Sequence, residues 1–185
     1  MSLNPECPLD GIRVIGLEQY MARPYCTMLI VDAGAKVIKI EQPKYGAPRR
    51  LMPPFVEKDG VKKAAGYMGY NRNKKSLALD LSKPEGQVIF KDLAKTADVV
   101  VENLHPDAMS KIRLTYDQLK DSNPKLIWAL ISGFGQLEDY RGHYADRPAF
   151  DIVAEAMSSI MNLVGFAEKP RPRQFLAWRT TIPAW

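Results

Sequence analysis

The sequence of 185 residues predicts an α/β protein with a Rossmann-like, doubly wound and mostly parallel sheet. Two observations support this fold class. Short apolar runs bounded by turn residues recur along the chain, and segments with helical periodicity separate them. In addition, residues 8–41 read as a strand, a sharp turn into a helix, a glycine stop and a second strand. Strands that alternate with helices favour a parallel sheet with helices on its faces.

The first βαβ unit begins with a predicted strand over residues 13–18 (RVIGLE). Arg23-Pro24 then opens a helix, because proline suits the first helical turn, where its missing N–H costs nothing. Gly34 is placed to end this helix, and residues 36–41 (KVIKIE) form the second strand. We expect the apolar side chains of the helix to face the core; these are Tyr25, Met28 and Leu29.

Residues 42–70 differ in composition from their surroundings, with frequent proline and glycine and a run of mixed charge. This segment is predicted to be a long irregular excursion. Long loops in compact domains are usually functional or disordered.

Three further strands are predicted at residues 76–81, 98–102 and 126–131. The centre of the middle one is wholly apolar, which indicates an interior, parallel strand. Ser82 is predicted to cap a helix that runs from Pro84 to about residue 94. Other helices are predicted after Pro106, at residues 116–121 and at residues 150–164.

The composition excludes several classes of function. The apolar fraction of 46% and the charged fraction of 25% are ordinary for a globular protein. The net charge of +5 favours an anionic ligand but does not indicate a nucleic-acid partner. No apolar run reaches the roughly 18 residues of a membrane span, so we expect no membrane partner. Cys7 and Cys26 form neither a disulfide framework nor a metal motif, and we expect no metal and a cytoplasmic location.

In an open α/β sheet, ligands bind outside the carboxyl ends of the strands. Here the predicted strand ends are followed by residues 18–23, 41–50, 103–107 and 132–136. The first of these loops contains Gln19, Tyr20 and Met21 in place of the glycines of a dinucleotide fingerprint, and no Walker A motif occurs in the chain.

A basic segment, Arg72-Asn73-Lys74-Lys75, leads into the third predicted strand. Its cations and amide suit phosphate or ribose groups, although a solvated basic loop would have the same composition.

Three other positions are candidate site residues. Asn103 follows the fourth strand, and Lys111 adds positive charge nearby in sequence. Asp151 opens the last predicted helix, where the helix dipole favours a carboxylate whatever its function.

Taken together, these blocks resemble the class III coenzyme A (CoA) transferases, a family that includes formyl-CoA transferase, carnitine-CoA transferase, bile-acid CoA transferases and 2-methylacyl-CoA racemase. The resemblance spans about residues 8–165. The matching text is PLDG with RVIGLE, DAGAKVIKIEQP, NRNKKSLALDL, ADVVVEN, NPKLIWALISGFGQ and RPAFDIVAEAMSSIMNLVG.

The resemblance implies a Rossmann-like CoA-binding domain over residues 1–165 and a divergent tail over residues 166–185. It places Gln19, Tyr20 and Met21 at the thioester end of the CoA pocket. The segment from Arg72 to Lys75 would lie by the nucleotide, with Asn103 lining the site and Lys111 near the CoA phosphates. Phe150 and Asp151 match positions that are His-Asp in the racemase branch and Tyr-Glu in formyl-CoA transferase. The implied partners are an acyl-CoA and a carboxylic acid acceptor, without a resident cofactor, in an interlocked homodimer.

Transferases of this family work through an aspartate that forms an aspartyl-CoA intermediate. In this chain Thr180 holds that place, and no acidic residue follows Glu168. We therefore expect a truncated, inactive form that retains CoA-binding residues, with a tail that is frame-shifted, naturally truncated or deliberately shortened. A shift of the reading frame by two nucleotides permits Asp-Asp-Tyr at this place. Two alternatives remain open: an acyl-CoA racemase or isomerase, although Phe150 cannot move a proton, and a non-catalytic CoA-binding module.

Overall fold

The structure, a computed structural model, describes residues 7–105 and 107–163. These residues fall into two compact units. The first comprises residues 7–104 and 108–130, and the second comprises residues 105, 107 and 131–163. The predicted domain boundary at residue 165 lies outside the described residues and stays a prediction.

The first unit contains the sheet. Its strands within the described residues are β1 (Arg13–Leu17), β2 (Lys36–Glu41), β3 (Phe55–Lys58), β4 (Val61–Ala64), β5 (Lys75–Ala78), β6 (Val99–Glu102) and β7 (Ile127–Leu130). Five of these strands form one sheet in the order β5-β2-β1-β6-β7, and every neighbouring pair in it is parallel. Counted alone, these strands have the order 3-2-1-4-5 of a doubly wound sheet. The predicted fold class is confirmed, and β6 is an interior strand as expected.

Among the described residues of this unit, five helices accompany the strands: α1 (Ala22–Asp32), α2 (Ala65–Tyr70), α3 (Pro84–Lys95), α4 (Ala108–Lys111) and α5 (Tyr116–Leu119). Successive residues of a strand point to opposite faces of the sheet. Val14 accordingly packs with the residues that lie against α1, whereas Ile15 packs with Phe90 of α3 and Leu119 of α5. The sheet therefore has an apolar core on each of its two faces.

The buried side of α1 differs from the sequence prediction. Tyr25 and Leu29 are 39% and 52% exposed, and only Met28 of the three apolar residues is buried. Arg23 and Thr27 are fully buried instead. The reason is electrostatic, because the carboxylate that ends the preceding strand is buried and α1 supplies polar partners to it.

The segment over residues 42–70 is more regular than predicted. β3 and β4 form an antiparallel hairpin, a 3₁₀ turn occupies Pro48–Leu51, and α2 follows the hairpin. Asp59 and Gly60 at the hairpin turn both have positive φ, 53° and 73°. An Asp-Gly pair is a strong signal for such a turn, so this part of the prediction was wrong for a reason visible in the sequence.

The start of α3 also differs from the prediction. Lys83 is the N-cap residue, while the hydroxyl of Ser82 donates a hydrogen bond of 2.6 Å to the carboxylate of Asp80. A Cβ atom at Gly86 would lie 2.0 Å from the carbonyl oxygen of Asp80. Glycine at this position therefore lets α3 pack directly against the chain that leaves β5.

The second unit contains α6 (Asp151–Met157) and a 3₁₀ turn at Ile160–Asn162. The single helix predicted for residues 150–164 is interrupted because Ser159 adopts a left-handed conformation with φ of 62°. Within this unit, a Cβ atom at Gly133 would lie 2.1 Å from that of Ala149, which shows a close approach of two backbone segments.

Candidate ligand-binding site

The turn after β1 is held by a reciprocal pair of hydrogen bonds. The backbone N–H of Gln19 donates to the side-chain oxygen of Asn103 at 2.8 Å, and the side-chain nitrogen of Asn103 donates to the carbonyl of Gln19 at 3.0 Å. Tyr20, the next residue, has a φ of 61° and is 39% exposed. Asn103 thus fixes the backbone of the Gln19–Met21 turn, so its own amide is engaged within the protein.

Three neighbouring strands each end in a buried glutamate, namely Glu18 after β1, Glu41 in β2 and Glu102 in β6. We call these three residues the strand-end glutamates. They are 2%, 6% and 6% exposed. Because a buried charge is costly unless it is paired, each of them requires a cationic or hydrogen-bonding partner.

Glu18 is at the centre of the largest of these networks. Its carboxylate lies 2.8 Å from Nζ of Lys74 and 3.8 Å from Nζ of Lys39. It also accepts a hydrogen bond of 2.5 Å from the hydroxyl of Thr27 in α1. All three charged side chains are at most 2% exposed. Glu18 therefore joins β1, β2, α1 and the basic segment in one buried cluster.

The two lysines of this cluster have further acceptors. Nζ of Lys74 donates to the carbonyl of Pro24 at 2.8 Å, and Nζ of Lys39 donates to the side-chain oxygen of Asn71 at 2.8 Å. Burial lowers the pKa of Lys39 to about 8, against the attraction of Glu18 and Glu41, and burial also lowers the pKa of Lys74. The ammonium of Lys74 is thus engaged inside the protein, and its predicted place by a nucleotide stays a prediction.

The other residues of the basic segment are exposed. Arg72 forms an ion pair with Asp32 at the end of α1, and the side-chain nitrogen of Asn73 donates to Asp32 at 3.2 Å. The hydrogen bond from Arg72 lowers the pKa of Asp32. Lys75 is exposed at the start of β5. Since Lys74 contacts the first turn of α1 and Arg72 the last, the segment runs alongside this helix.

Glu102 and Arg23 are buried groups of opposite charge that attract each other near the same edge of the sheet. Arg23 is fully buried, and burial lowers its pKa to about 9 against the attraction of Glu102 and Glu18. Burial raises the pKa of Glu102, while Arg23 opposes that effect. The carboxylate of Glu102 also accepts a hydrogen bond of 3.0 Å from the backbone N–H of Leu104. Arg23 is therefore attracted by two of the strand-end glutamates.

Glu41 fixes the start of the 42–70 segment. Its carboxylate accepts hydrogen bonds from Nε of Arg50 at 2.7 Å, from the hydroxyl of Tyr67 at 2.6 Å and from the backbone N–H of Ala47 at 2.8 Å. The guanidinium of Arg50 also lies 3.9 Å from the centre of the Tyr67 ring. Burial raises the pKa of Glu41, but these three donors outweigh burial and lower it to about 2. The segment after β2 is thus held at the carboxyl end of that strand.

The remaining predicted site residues are placed as follows. Lys111 is exposed at the end of α4 in the first unit. Phe150 precedes α6 and is 62% exposed, and Asp151 is the half-buried first residue of that helix. Both belong to the second unit, and their part in the site stays a prediction. Thr180 lies outside the described residues.

Sequence reasoning missed the strand-end glutamates and Lys39 as parts of the site. The sequence did contain a signal, because three apolar runs each end in glutamate: VIGLE, VIKIE and VVVE. Lys39 was visible as the one charge between apolar neighbours in β2. A lysine at such a position requires a buried carboxylate, and Glu18 is that carboxylate.

Two negative findings apply to the described part of the chain. Over residues 7–105 and 107–163, no three His, Cys, Asp or Glu side chains cluster in a way that could hold a metal ion. In the same residues, no helix has both the length and the apolar character needed to cross a membrane.

The parallel sheet, the clamped turn after β1 and the basic segment beside α1 define a Rossmann-like α/β domain with a polar carboxyl edge. The model of CoA-transferase family III matches residues 9–181, and the chain belongs to this family.

Curated relatives and solved structures agree with this assignment. The chain is 44% identical over 165 residues to the succinate–glutarate CoA-transferase of Agrobacterium fabrum, covering 88% of this chain and 40% of that protein. It is 42% identical over 164 residues to the succinyl-CoA:mesaconate CoA-transferase of Haloarcula hispanica, covering 88% and 41%. The crystal structure of a CAIB/BAIF family protein from Brucella suis is 36% identical with a TM-score of 0.82, covering 94% of this chain and 45% of that one. The chain thus spans less than half the length of these relatives.

Proposed function

We propose that the whole protein transfers CoA between carboxylic acids and that this polypeptide supplies the CoA-binding part. The observation that supports the proposal is the pair of polar features at the two ends of α1. The Gln19–Met21 turn lies at its start, and Arg72 and Asn73 lie at its end. An eleven-residue helix is about 16 Å long, so an extended ligand along α1 would reach both features.

In this proposal the thioester lies at the Gln19–Met21 turn, and the nucleotide lies by Arg72, Asn73 and Lys75. The exposed side chains of Tyr25 and Leu29 would lie beside the apolar parts of the arm between them. CoA is a substrate here, and no resident metal or redox cofactor takes part. Lys74 contributes indirectly, because its buried ammonium fixes the basic segment to Glu18.

The reaction proposed for the whole protein uses an aspartate nucleophile. Its carboxylate attacks the thioester carbonyl and expels the CoA thiolate, which leaves a mixed anhydride. The thiolate then attacks the aspartyl carbonyl, releases the donor acid and forms the aspartyl-CoA thioester. The acceptor carboxylate attacks this thioester and expels the CoA thiolate, which leaves a second mixed anhydride. The thiolate then attacks the acceptor carbonyl of this anhydride, which forms the new acyl-CoA and frees the aspartate carboxylate. Backbone N–H groups would stabilise the oxyanions that form along the way.

Calorimetric titration of the polypeptide with CoA tests the binding part of the proposal. We expect saturable binding, and we expect Arg72→Gln to weaken it about tenfold or more, because one charge-assisted hydrogen bond to a phosphate is lost. Lys95→Gln is the matched control, since Lys95 is exposed at the end of α3 and pairs only locally with Asp92. Absence of CoA binding by the parent chain would contradict the proposal.

A second candidate function is a CoA-binding module without transferase chemistry. The residue that favours it is Thr180, which holds the place of the family's nucleophile, because a threonine hydroxyl cannot form the mixed anhydride. We therefore expect CoA binding without exchange between succinyl-CoA and glutarate, followed by chromatography of the thioesters. Exchange catalysed by this polypeptide alone would overturn the second candidate. A cytoplasmic location and a homodimer are also part of the proposed function. Light scattering of the purified chain tests the homodimer.

A further inference from the structure

Arg49 lies in the segment that follows β2, at the carboxyl edge of the sheet. The 3₁₀ turn Pro48–Leu51 that contains it is fixed on both sides by Glu41, the last residue of β2. Glu41 accepts the backbone N–H of Ala47 at 2.8 Å and the side chain of Arg50 at 2.7 Å and 3.0 Å. Arg49 is thus held next to the end of β2, and β2 neighbours β1, which leads into the Gln19–Met21 turn.

Among the described residues, no carboxylate forms an ion pair with the buried guanidinium of Arg49. Arg49 is 7% exposed, and its Nε has no hydrogen-bond partner in the part of the chain that the structure describes. Within residues 7–105 and 107–163, its side chain has one polar contact, from Nη1 to the sulfur of Met52 at 4.0 Å. A thioether is a weak acceptor. Such a charge is strongly unfavourable unless an anion compensates it.

The acidic groups nearby are already engaged by other cations. Glu18 pairs with Lys39 and Lys74, and Glu41 pairs with Arg50 and accepts the hydroxyl of Tyr67. Five cations at this edge, with Arg23 and Arg49 included, therefore meet the three strand-end glutamates. The edge carries surplus positive charge, and neither Glu18 nor Glu41 is bound to Arg49.

The backbone makes room for this guanidinium. A Cβ atom at Gly66 would lie 2.3 Å from Nη2 and 2.7 Å from Nε of Arg49. Any side chain at position 66 would therefore displace the guanidinium of Arg49 from its place. The arrangement holds one guanidinium in a defined position, which is what recognition of a small anion requires.

We propose that Arg49 binds a carboxylate of a small dicarboxylic acid, at the end away from the carboxylate that exchanges CoA. This inference rests on the proposed function, which places the reacting carboxyl at the neighbouring Gln19–Met21 turn. A planar guanidinium matches a carboxylate in shape and charge. Arg49 is then the residue that selects dicarboxylic over monocarboxylic substrates.

Titration of the full chain with succinate, in chloride-free buffer and without CoA, tests the proposal. We expect succinate and glutarate to bind and to raise the Tm, whereas acetate does neither at the same concentration. Arg49→Met is expected to weaken succinate binding about 30-fold or more, because the buried partner of the carboxylate is lost. Without a dicarboxylate, its Tm is expected to equal or exceed that of the parent, since an uncompensated charge has been removed.

Two further variants sharpen the test. Gly66→Ala retains the charge but displaces the guanidinium, so it too is expected to lose succinate binding, which keeps the test valid if Arg49→Met fails to fold. Arg13→Gln is the matched control, because exposed Arg13 begins β1 at the opposite edge of the sheet. Its succinate affinity is expected to stay within about twofold of the parent.

The outcomes separate this inference from the proposed function. Equal succinate binding by the parent and Arg49→Met would overturn the inference, as would an absence of succinate binding by a parent chain that binds CoA. Failure of CoA to bind would refute the proposed function, while the succinate titration would still give its own result for Arg49. Binding of succinate that depends on Arg49 and Gly66, with CoA affinity unchanged in Arg49→Met, is the expected result.

Discussion

Replacement of Glu18 by glutamine removes the one carboxylate shared by two buried lysines. Glutamine has nearly the same shape, and it can still accept the hydrogen bond from Thr27. What is lost is the negative charge that lies 2.8 Å from Nζ of Lys74 and 3.8 Å from Nζ of Lys39. Both ammonium groups would then remain 2% exposed beside a neutral amide.

The size of the effect follows from these distances. At an effective dielectric constant of about 20, the lost attractions amount to about 6 kcal/mol for Lys74 and about 4 kcal/mol for Lys39. Relaxation reduces the sum, since Lys39 has a pKa of about 8 and sheds its proton at small cost. Removal of one partner of a buried pair typically costs about 3–5 kcal/mol, and we expect Glu18→Gln to lie in this range near neutral pH. That is a large share of the stability of a domain, which is typically about 5–15 kcal/mol.

Urea unfolding followed by circular dichroism, at about pH 6 and about pH 9, measures this effect. The loss of stability is expected to shrink at the higher pH, because Lys39, with a pKa of about 8, is then neutral in the folded protein. Glu57→Gln is the control, since Glu57 is exposed in the β3-β4 hairpin, and it is expected to change stability by less than about 0.5 kcal/mol. A loss below about 1 kcal/mol for Glu18→Gln, or a loss independent of pH, would refute the reasoning.

Three further perturbations have expected outcomes. Lys39 has a pKa of about 8 in the folded protein, below its value in the unfolded chain. In urea titrations, the free energy of unfolding of the parent, relative to that of Lys39→Met, should therefore rise by about 3 kcal/mol between about pH 8 and about pH 10.5. A difference that stays constant over this range would contradict the prediction. Glu41 has a pKa of about 2 in the folded protein. Its contribution to the free energy of unfolding, about 3 kcal/mol, is complete above about pH 4.5 and is lost as the pH falls through about 2. In acid unfolding, Glu41→Gln should therefore not show this loss of stability. Gly86→Ala should lower the free energy of unfolding by at least about 1–3 kcal/mol, because its Cβ would lie 2.0 Å from the Asp80 carbonyl oxygen. In the control Gly69→Ala the added Cβ meets open space, so thermal melting should show a neutral or slightly stabilising effect.

The parts of the fold that could be predicted are those with a strong local signal. Apolar runs bounded by turn residues located β1, β2 and β6, and their alternation with helices gave the parallel sheet. The inner position of β6 followed from its wholly apolar centre, since only a strand covered on both faces can bury one. The hairpin at Asp59-Gly60 was missed although its turn pair is explicit, because proline and mixed charge around it outweighed that signal.

The parts that could not be predicted depend on pairing across long distances in the chain. Tyr25 and Leu29 were assigned to the buried side of α1 because they are apolar, but buried Glu18 requires polar partners there. Arg23 and Thr27 therefore took the inner positions. Periodicity records hydrophobicity alone and cannot anticipate a buried charge on the neighbouring strand.

The candidate site shows the same division. The turn at Gln19–Met21 and the basic segment could be identified from the sequence, because position after a strand and clustered charge are local properties. The sequence could not show which residue of the basic segment is buried and which is exposed. Nothing local distinguishes Lys74, which points inward to Glu18, from Arg72, which is half exposed. The hydrogen bonds of Asn103 to the Gln19 backbone were likewise not visible in the sequence, and its contact with a ligand stays a prediction.

The two ties that hold the turn after β1 join residues far apart in the chain. Lys74 is 56 residues from Glu18, and Asn103 is 84 residues from Gln19. Closing such long loops is slow and must precede the contacts that reward it. During synthesis, the turn therefore remains without its clamp until residue 103 has left the ribosome. The turn can therefore bind a ligand only late in folding. A ligand at this edge would bind those chains that have already completed most of the sheet.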